Sequence, residues 1–297
     1  MAADDSPTVT RAAPPVEEPS EHTGPARPDL IEAGRKHLGW VERTIIRTVR
    51  ASFEPGPWDR VLRWLQRTMG QAWIHHATKN LRRVSGPIPE LDGPGSVLVV
   101  ANHRSFFDLY VITAELVRRG LTKRIVFPVR SNFFYDSFLG LLVNFWMSFL
   151  AMYPPIFRDR KKAALNLTSL DELGFLLNRG GVFAGLHPEG TRKKDDDPYT
   201  FLPAQPGLGR VIHRARVPVV PVFVNGLGND LLAQVRGNWN GRGTPIHVVF
   251  GEPIDFSDLL DQRPSPRLFR EISERCLREI GVLGEQERSL RASLPPS

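Results

Sequence analysis

A histidine and an aspartate stand five positions apart in Val99-Val100-Ala101-Asn102-His103-Arg104-Ser105-Phe106-Phe107-Asp108. An apolar run ends just before the histidine. Ser105-x-x-Asp108 has the form of a helix start, so Asp108 falls in a first helical turn. A turn of this kind folds the carboxylate back onto the imidazole. A carboxylate on one ring nitrogen fixes the tautomer and leaves the other nitrogen free as a base. The same residues are also compatible with a structural histidine. A second segment, Gly185-Leu186-His187-Pro188-Glu189-Gly190-Thr191-Arg192, follows another apolar run. Its glycine lets a backbone approach a ligand closely. The Thr191 hydroxyl and the Arg192 guanidinium suit a phosphate, although Gly-Thr-Arg also makes an ordinary turn.

These residues need a scaffold. Ser96–Ala101, Arg124–Val129, Gly181–Leu186, Val217–Val224 and Ile246–Gly251 are short, β-rich and bounded by turn residues, which predicts buried strands. Helical patterns lie between several of them. The fold class is therefore α/β: a mixed, mostly parallel sheet flanked by helices and preceded by an amphipathic helical pair. Both chemical segments then sit at the ends of strands.

Four regions are expected. Residues 1–29 are acidic and proline-rich and read as a disordered tail with no secretory leader. Residues 30–85 hold the helical pair, 86–262 the main domain, and 263–297 a last helix that frays from Gly281. In the pair, Ile31, Leu38, Val41, Ile45, Val49 and Phe53 form one stripe, and Val61, Leu65, Met69 and Ala72 another. Arginines and Trp58, Trp64 and Trp73 accompany them. Two uses fit: a membrane interface, or a hairpin packed on the main domain. Phe138–Tyr153 is apolar and uncharged but shorter than the roughly 20 residues of a membrane span. It is either a core helix or a segment dipping into one leaflet.

The chain of 297 residues carries a formal charge of +7. Residues 30–85 contribute eleven basic and four acidic side chains, so the excess lies outside the chemical segments. Such a surface suits anionic lipid or nucleic acid. The single cysteine excludes a disulfide framework and a thiolate zinc site, and fits a reducing compartment. Asp195–Asp197 lacks metal-ligand spacing, Ser105 lacks the glycines of a hydrolase nucleophile, and no nucleotide loop or nucleic-acid module is present.

The two segments together, with Pro155-Ile156-Phe157-Arg158-Asp159 and Val217-Pro218-Val219-Val220-Pro221-Val222, resemble the glycerolipid acyltransferase family, the 1-acylglycerol-3-phosphate acyltransferases and their relatives. The resemblance covers about residues 84–260, with the four blocks in order. It implies transfer of a fatty acyl group from an acyl-CoA or acyl-carrier-protein thioester to a lysophospholipid or glycerol-phosphate hydroxyl. It implies no metal and no cofactor beyond that co-substrate. His103 is then the base and Asp108 its partner. Glu189, Gly190, Thr191, Arg192 and Arg158 bind the acceptor head, with Arg160 the substitute if that block is shifted. His187, Lys193 and Arg130 depart from the family's usual aromatic residue, Ser and Lys. The implied setting is peripheral or monotopic, on the cytoplasmic face of an anionic membrane, with no nucleic acid. The competing reading is a catalytically silent membrane adaptor of the same fold.

Overall fold

The computed structural model describes residues 27–293 apart from Glu90 and Asp92. In chain order the elements are α1 (Leu30–Ala33), α2 (Trp40–Ala51), α3 (Pro57–Thr78), β1 (Arg82–Ser85), β2 (Val97–Ala101), α4 (Asp108–Arg118), β3 (Arg124–Arg130), α5 (Ser131–Phe134) and α6 (Phe138–Ser148). There follow β4 (Met152–Ile156), α7 (Leu165–Arg179), β5 (Val182–Leu186), α8 (Pro206–Ala215), β6 (Val219–Asn225), α9 (Leu231–Asn240), β7 (Ile246–Phe250), α10 (Ser257–Leu260) and α11 (Pro266–Ala292). The strands form one seven-stranded sheet in the order β1-β7-β6-β2-β5-β3-β4. From β6 to β4 all neighbours are parallel; β7 runs antiparallel to β6, and β1 parallel to β7. The sheet is thus mixed and mostly parallel, as expected.

The five anticipated strands are present within a residue or two. Two more, β1 and β4, occupy the sheet's edges. Their sequences, RRVS and MYPPI, lack the continuous apolar run that a strand covered on both faces needs. The two prolines of β4 are tolerated because an edge strand need not donate on its open side. The expected boundary at residue 86 is corrected accordingly: Arg82–Ser85 belongs to the sheet.

Alternate side chains of β2 enter opposite cores. Leu98 and Val100 pack with α7, α8 and α11, and Val97, Val99 and Ala101 with α4 and the end of α3. The tail assigned to residues 1–29 lies outside the described residues up to position 26, but its last three residues belong to the fold. Arg27 donates from Nε to the buried Glu172 at 2.8 Å, and the Asp29 carboxylate caps α1 through Ile31 N–H at 2.9 Å. The fraying expected from Gly281 is also corrected. The helix α11 continues to Ala292 because Leu283 and Glu287 are buried, and Glu287 accepts from Tyr199 Oη at 2.7 Å and Asn225 Nδ2 at 3.0 Å.

The two amphipathic helices have different fates. In α2 the apolar stripe turns inward: Ile45, Ile46 and Val49 are buried, followed by Phe53 stacked on Tyr153. In α3 the apolar stripe turns largely outward, although Leu65 packs against the core. Trp58 and Trp64 are 69% and 59% exposed, with Val61 and Met69 beside them. The face that α3 buries is Asp59, Leu62, Gln66, Gly70, Gln71 and Ile74. Gln66 is fully bonded: its Oε1 accepts from Ile125 N–H at 2.9 Å, and its Nε2 donates to Ile125 O at 3.2 Å and Phe149 O at 3.1 Å.

The apolar run Phe138–Tyr153 is not one element. Phe149 and Leu150 both take positive φ and divide it into α6 and β4. Eleven residues of α6 span about 16 Å, half a bilayer core. Gly140, Asn144 and Ser148 face inward, while Phe138, Leu139, Leu142 and Trp146 are exposed. Gly140 has no room for a Cβ, which would meet Phe133 O at 1.7 Å. Trp40 of α2 lies against Phe138, with ring centroids 5.9 Å apart. Among the described residues no helix is long and apolar enough to cross a membrane.

Candidate active site

Five parallel strands end along one edge, and the loops leaving them carry the candidate residues. In sheet order these are the loop after β6, His103 after β2, the Glu189–Arg192 segment after β5, Arg130 at the end of β3 and Arg158 just past β4. Crossovers from β2 to β3 and from β5 to β6 open a crevice at such an edge, the usual place for a ligand in an open α/β sheet.

The histidine–aspartate pair is formed. His103 Nδ1 donates to Asp108 Oδ2 at 3.2 Å, and the same oxygen accepts the backbone N–H groups of Arg104 and Ser105, each at 2.8 Å. Asp108 is the first residue of α4 and only 1% exposed. Burial pushes its carboxyl up to about 6, against the pull of His187, the two backbone donors and Arg192. The His103 imidazole is pushed down to about 3, chiefly by burial, then by the positive charges of Arg192 and Arg130. It is therefore neutral at pH 7, with Nδ1–H held by the aspartate and Nε2 available as an acceptor.

Two residues fix the loop around this pair. Glu189 is buried, and its oxygens accept from His103 N–H at 2.8 Å and Leu202 N–H at 2.9 Å. Glu189 was expected at the acceptor head; here both of its oxygens accept from backbone donors, so it braces the histidine loop. Gly190 turns the chain at φ 64°, in the left-handed region that favours glycine, and donates its N–H to His187 O at 3.1 Å.

The basic groups gather on the β3–β4 flank. Arg130 Nη2 donates to Thr191 Oγ1 at 3.3 Å. Burial, then the charges of Arg158 and Arg192, hold the Arg130 guanidinium below its usual value. Arg130 thus bonds Thr191 and feels the charges of Arg158 and Arg192, and Arg130 and Arg192 both act on His103; such a set can bind a phosphate through charge-assisted hydrogen bonds. Arg158 was expected to help at the acceptor head, and here its charge acts on Arg130. Arg130 was noted only as a departure from the family pattern, yet it is central to the cluster.

Two further residues had no role assigned from the sequence. His187 stacks on His103 with ring centroids 3.8 Å apart and planes 7° from parallel, and its Nδ1 donates to Ala101 O at 2.9 Å. It keeps the flat face that an aromatic residue would give there. Asn229 accepts from Arg192 Nη1 at 2.8 Å and from Phe106 N–H at 3.0 Å, tying the Arg192 loop to the His103 loop. The available signal was Gly226-Leu227-Gly228-Asn229, a glycine turn closing a strand at the same edge. His103, Asp108 and His187 bring potential ligand atoms within 4.8 Å of one another. Stacked parallel imidazoles do not aim their lone pairs at one point, so this trio does not fit a metal.

The acyltransferase family model matches residues 60–225, more than half of the chain, and the chain belongs to that family. It is an acyltransferase. Its fold is similar to that of the 1-acyl-sn-glycerophosphate (LPA) acyltransferase PlsC from Thermotoga maritima, whose crystal structure superposes with a TM-score of 0.51 at 20% identity, covering 85% of this chain and 92% of that one.

Proposed function

We propose that the chain moves a fatty acyl group from an acyl-CoA or acyl-carrier-protein thioester to the hydroxyl of a lysophospholipid or glycerol-phosphate acceptor, and that this acceptor is 1-acylglycerol-3-phosphate and the product phosphatidic acid. The observation that carries the reading is a half-buried, neutral His103, oriented by Asp108, beside an arginine cluster. The likeness to the Thermotoga enzyme supports the choice of acceptor.

Arg130, Arg158, Arg192 and Thr191 hold the acceptor phosphate. The free hydroxyl then lies on His103 Nε2. As the hydroxyl oxygen attacks the thioester carbonyl, its proton passes to Nε2 and Asp108 stabilises the imidazolium. The tetrahedral intermediate collapses with loss of the C–S bond, and His103 returns the proton to the thiolate. A thioester is already activated, so positioning and one base suffice and no enzyme-bound acyl group is needed.

The enzyme works peripherally or monotopically on the cytoplasmic face of an anionic membrane. Exposed Trp40, Trp58, Trp64, Phe138 and Trp146 supply amphipathic rings of the type that settle at headgroup level, and exposed Arg47, Arg60 and Arg67 lie on the same helices. The test is a mass-spectrometric screen of lysolipid and glycerol-phosphate acceptors with one long-chain acyl-CoA, run beside His103→Ala. Acylated product from the wild type alone supports the reading. A folded wild type that acylates none of the panel, or a His103→Ala variant as active as wild type, overturns it and favours an adaptor.

A further inference from the structure

The arginine cluster accounts for one flank of His103. On the other flank, between the loop after β6 and residues 192–198, lies a cleft of about 580 Å³. Volumes of this order hold small-molecule ligands. Its charged lining is Arg104, Arg192, Lys193 and Lys194 against Asp195 and Asp196, with Asp108 at its inner end. The remaining lining is Val224–Asn229 with Pro198 and Thr244, so the charged groups predominate and the cleft suits a hydrophilic anion more than an acyl chain.

Three observations point to a ligand. Arg104 Nη1 and Lys193 Nζ converge on one exposed carboxylate, Asp195, at 2.6 and 2.7 Å, so two cations are already gathered around a single anionic group. Arg104 Nη2 is buried with no hydrogen-bond partner. The backbone N–H of Lys193 donates to His103 O at 3.1 Å, so the cleft adjoins the loop that carries His103. Acyl transfer has two substrates, and the acceptor phosphate has Arg130, Thr191 and Arg158 on the opposite flank, with Arg192, which bonds Asn229 and also lines the cleft, standing between the two.

We propose that this cleft binds the phosphorylated pantetheine end of the acyl donor, with phosphate against Arg104, Lys193 and Lys194 and displacing Asp195. The two substrates then approach His103 from opposite sides along the sheet edge. The inference rests on the acyl-transfer reading above, and it adds where and by what chemistry the donor is held.

The experiment is steady-state kinetics of wild type and a Lys193→Ala/Lys194→Ala double variant, each substrate varied with the other saturating. Circular dichroism melting checks that the variant folds. The donor KM is expected to rise about tenfold or more, as loss of charge-assisted contacts implies, while the acceptor KM stays within about twofold. A rise in the acceptor KM alone, or in neither, overturns the proposal. Acyl-CoA and acyl-carrier protein are compared. A rise with both places the shared pantetheine phosphate in the cleft, and a rise with acyl-CoA alone places the nucleotide phosphates there. A rise with acyl-carrier protein alone overturns the proposal. Calorimetric binding of free CoA, which needs no turnover, separates the two readings. If the double variant binds about tenfold more weakly than wild type, the cleft holds the donor even where the acceptor has been misjudged; equal binding sinks the cleft alone.

Discussion

The catalytic edge and the α3–α6 face break the same rule in opposite ways. At the edge, polar groups are buried: Asp108, Glu189 and Asn102 are almost inaccessible. On the α3–α6 face, large apolar groups are exposed, and the inward side carries Gln66, Asn144 and Ser148. Ordinary globular surfaces show neither on this scale, and both kinds of exception mark function. The difference lies in how each is satisfied. Most buried polar groups at the edge find partners within the chain, three donors on one oxygen of Asp108, although Asp108 Oδ1 and Arg104 Nη2 do not. The exposed rings touch one another in places, as Trp40 does Phe138, yet keep most of their surface open. One region is satisfied mainly from within; the other presents its apolar surface outward.

Substitutions can break this comparison, beginning with the strongest. His103→Ala removes the proposed base and should lower kcat by roughly two to four orders of magnitude without moving the melting temperature much. Next comes pH. The proposed mechanism needs Asp108 ionised, and burial has raised its carboxyl to about 6. As pH falls through that value the carboxylate takes a proton and stops holding the His103 Nδ1–H, so kcat/KM should drop about tenfold per unit below pH 6. The His103 imidazole, already pushed down to about 3, does not set this limb. Asp108→Asn should abolish the limb along with most of the rate; a limb that persists in this variant would assign it to another group.

A smaller effect is expected on the exposed face. Trp58→Ser, Trp64→Ser and Trp146→Ser together should weaken binding to anionic vesicles by at least about tenfold, read by co-sedimentation. The ratio of rates on vesicle-borne and short-chain acceptors should fall in parallel. Unchanged sedimentation would mean that these rings face another protein or a second copy. The smallest change should follow His187→Phe. Stacking on His103 is kept and only the bond to Ala101 O is lost, about 1 kcal/mol or roughly fivefold in kcat. A loss as large as that of His103→Ala would make His187 part of the proton path.

The central strands were legible because burial on both faces demands unbroken apolar runs, as in Val97–Ala101. The edge strands β1 and β4 were not, since charge and proline are allowed there. His103 and Asp108 could be paired from spacing because the turn between them is local. Glu189 could not be placed, because its role depends on contacts with His103 N–H and Leu202 N–H set by tertiary packing. Periodicity showed that α2 and α3 each have an apolar stripe. It could not show that one stripe packs inward and the other largely outward, since both satisfy the same hydrophobic pattern.

Gln66 has a consequence beyond stability. Ile125 lies in β3 before its pairing with β4 begins, so its outward N–H and C=O face no strand. The glutamine amide fills that gap and acts as a one-residue substitute strand. A helix bolted to the sheet in this manner cannot roll about its own axis. If α3 floats at a lipid surface, the roll and pitch of the whole sheet follow from that bolt. The catalytic edge then meets the bilayer at one attitude only, and the heading of the enzyme over its substrate is set by a side chain far from the chemistry.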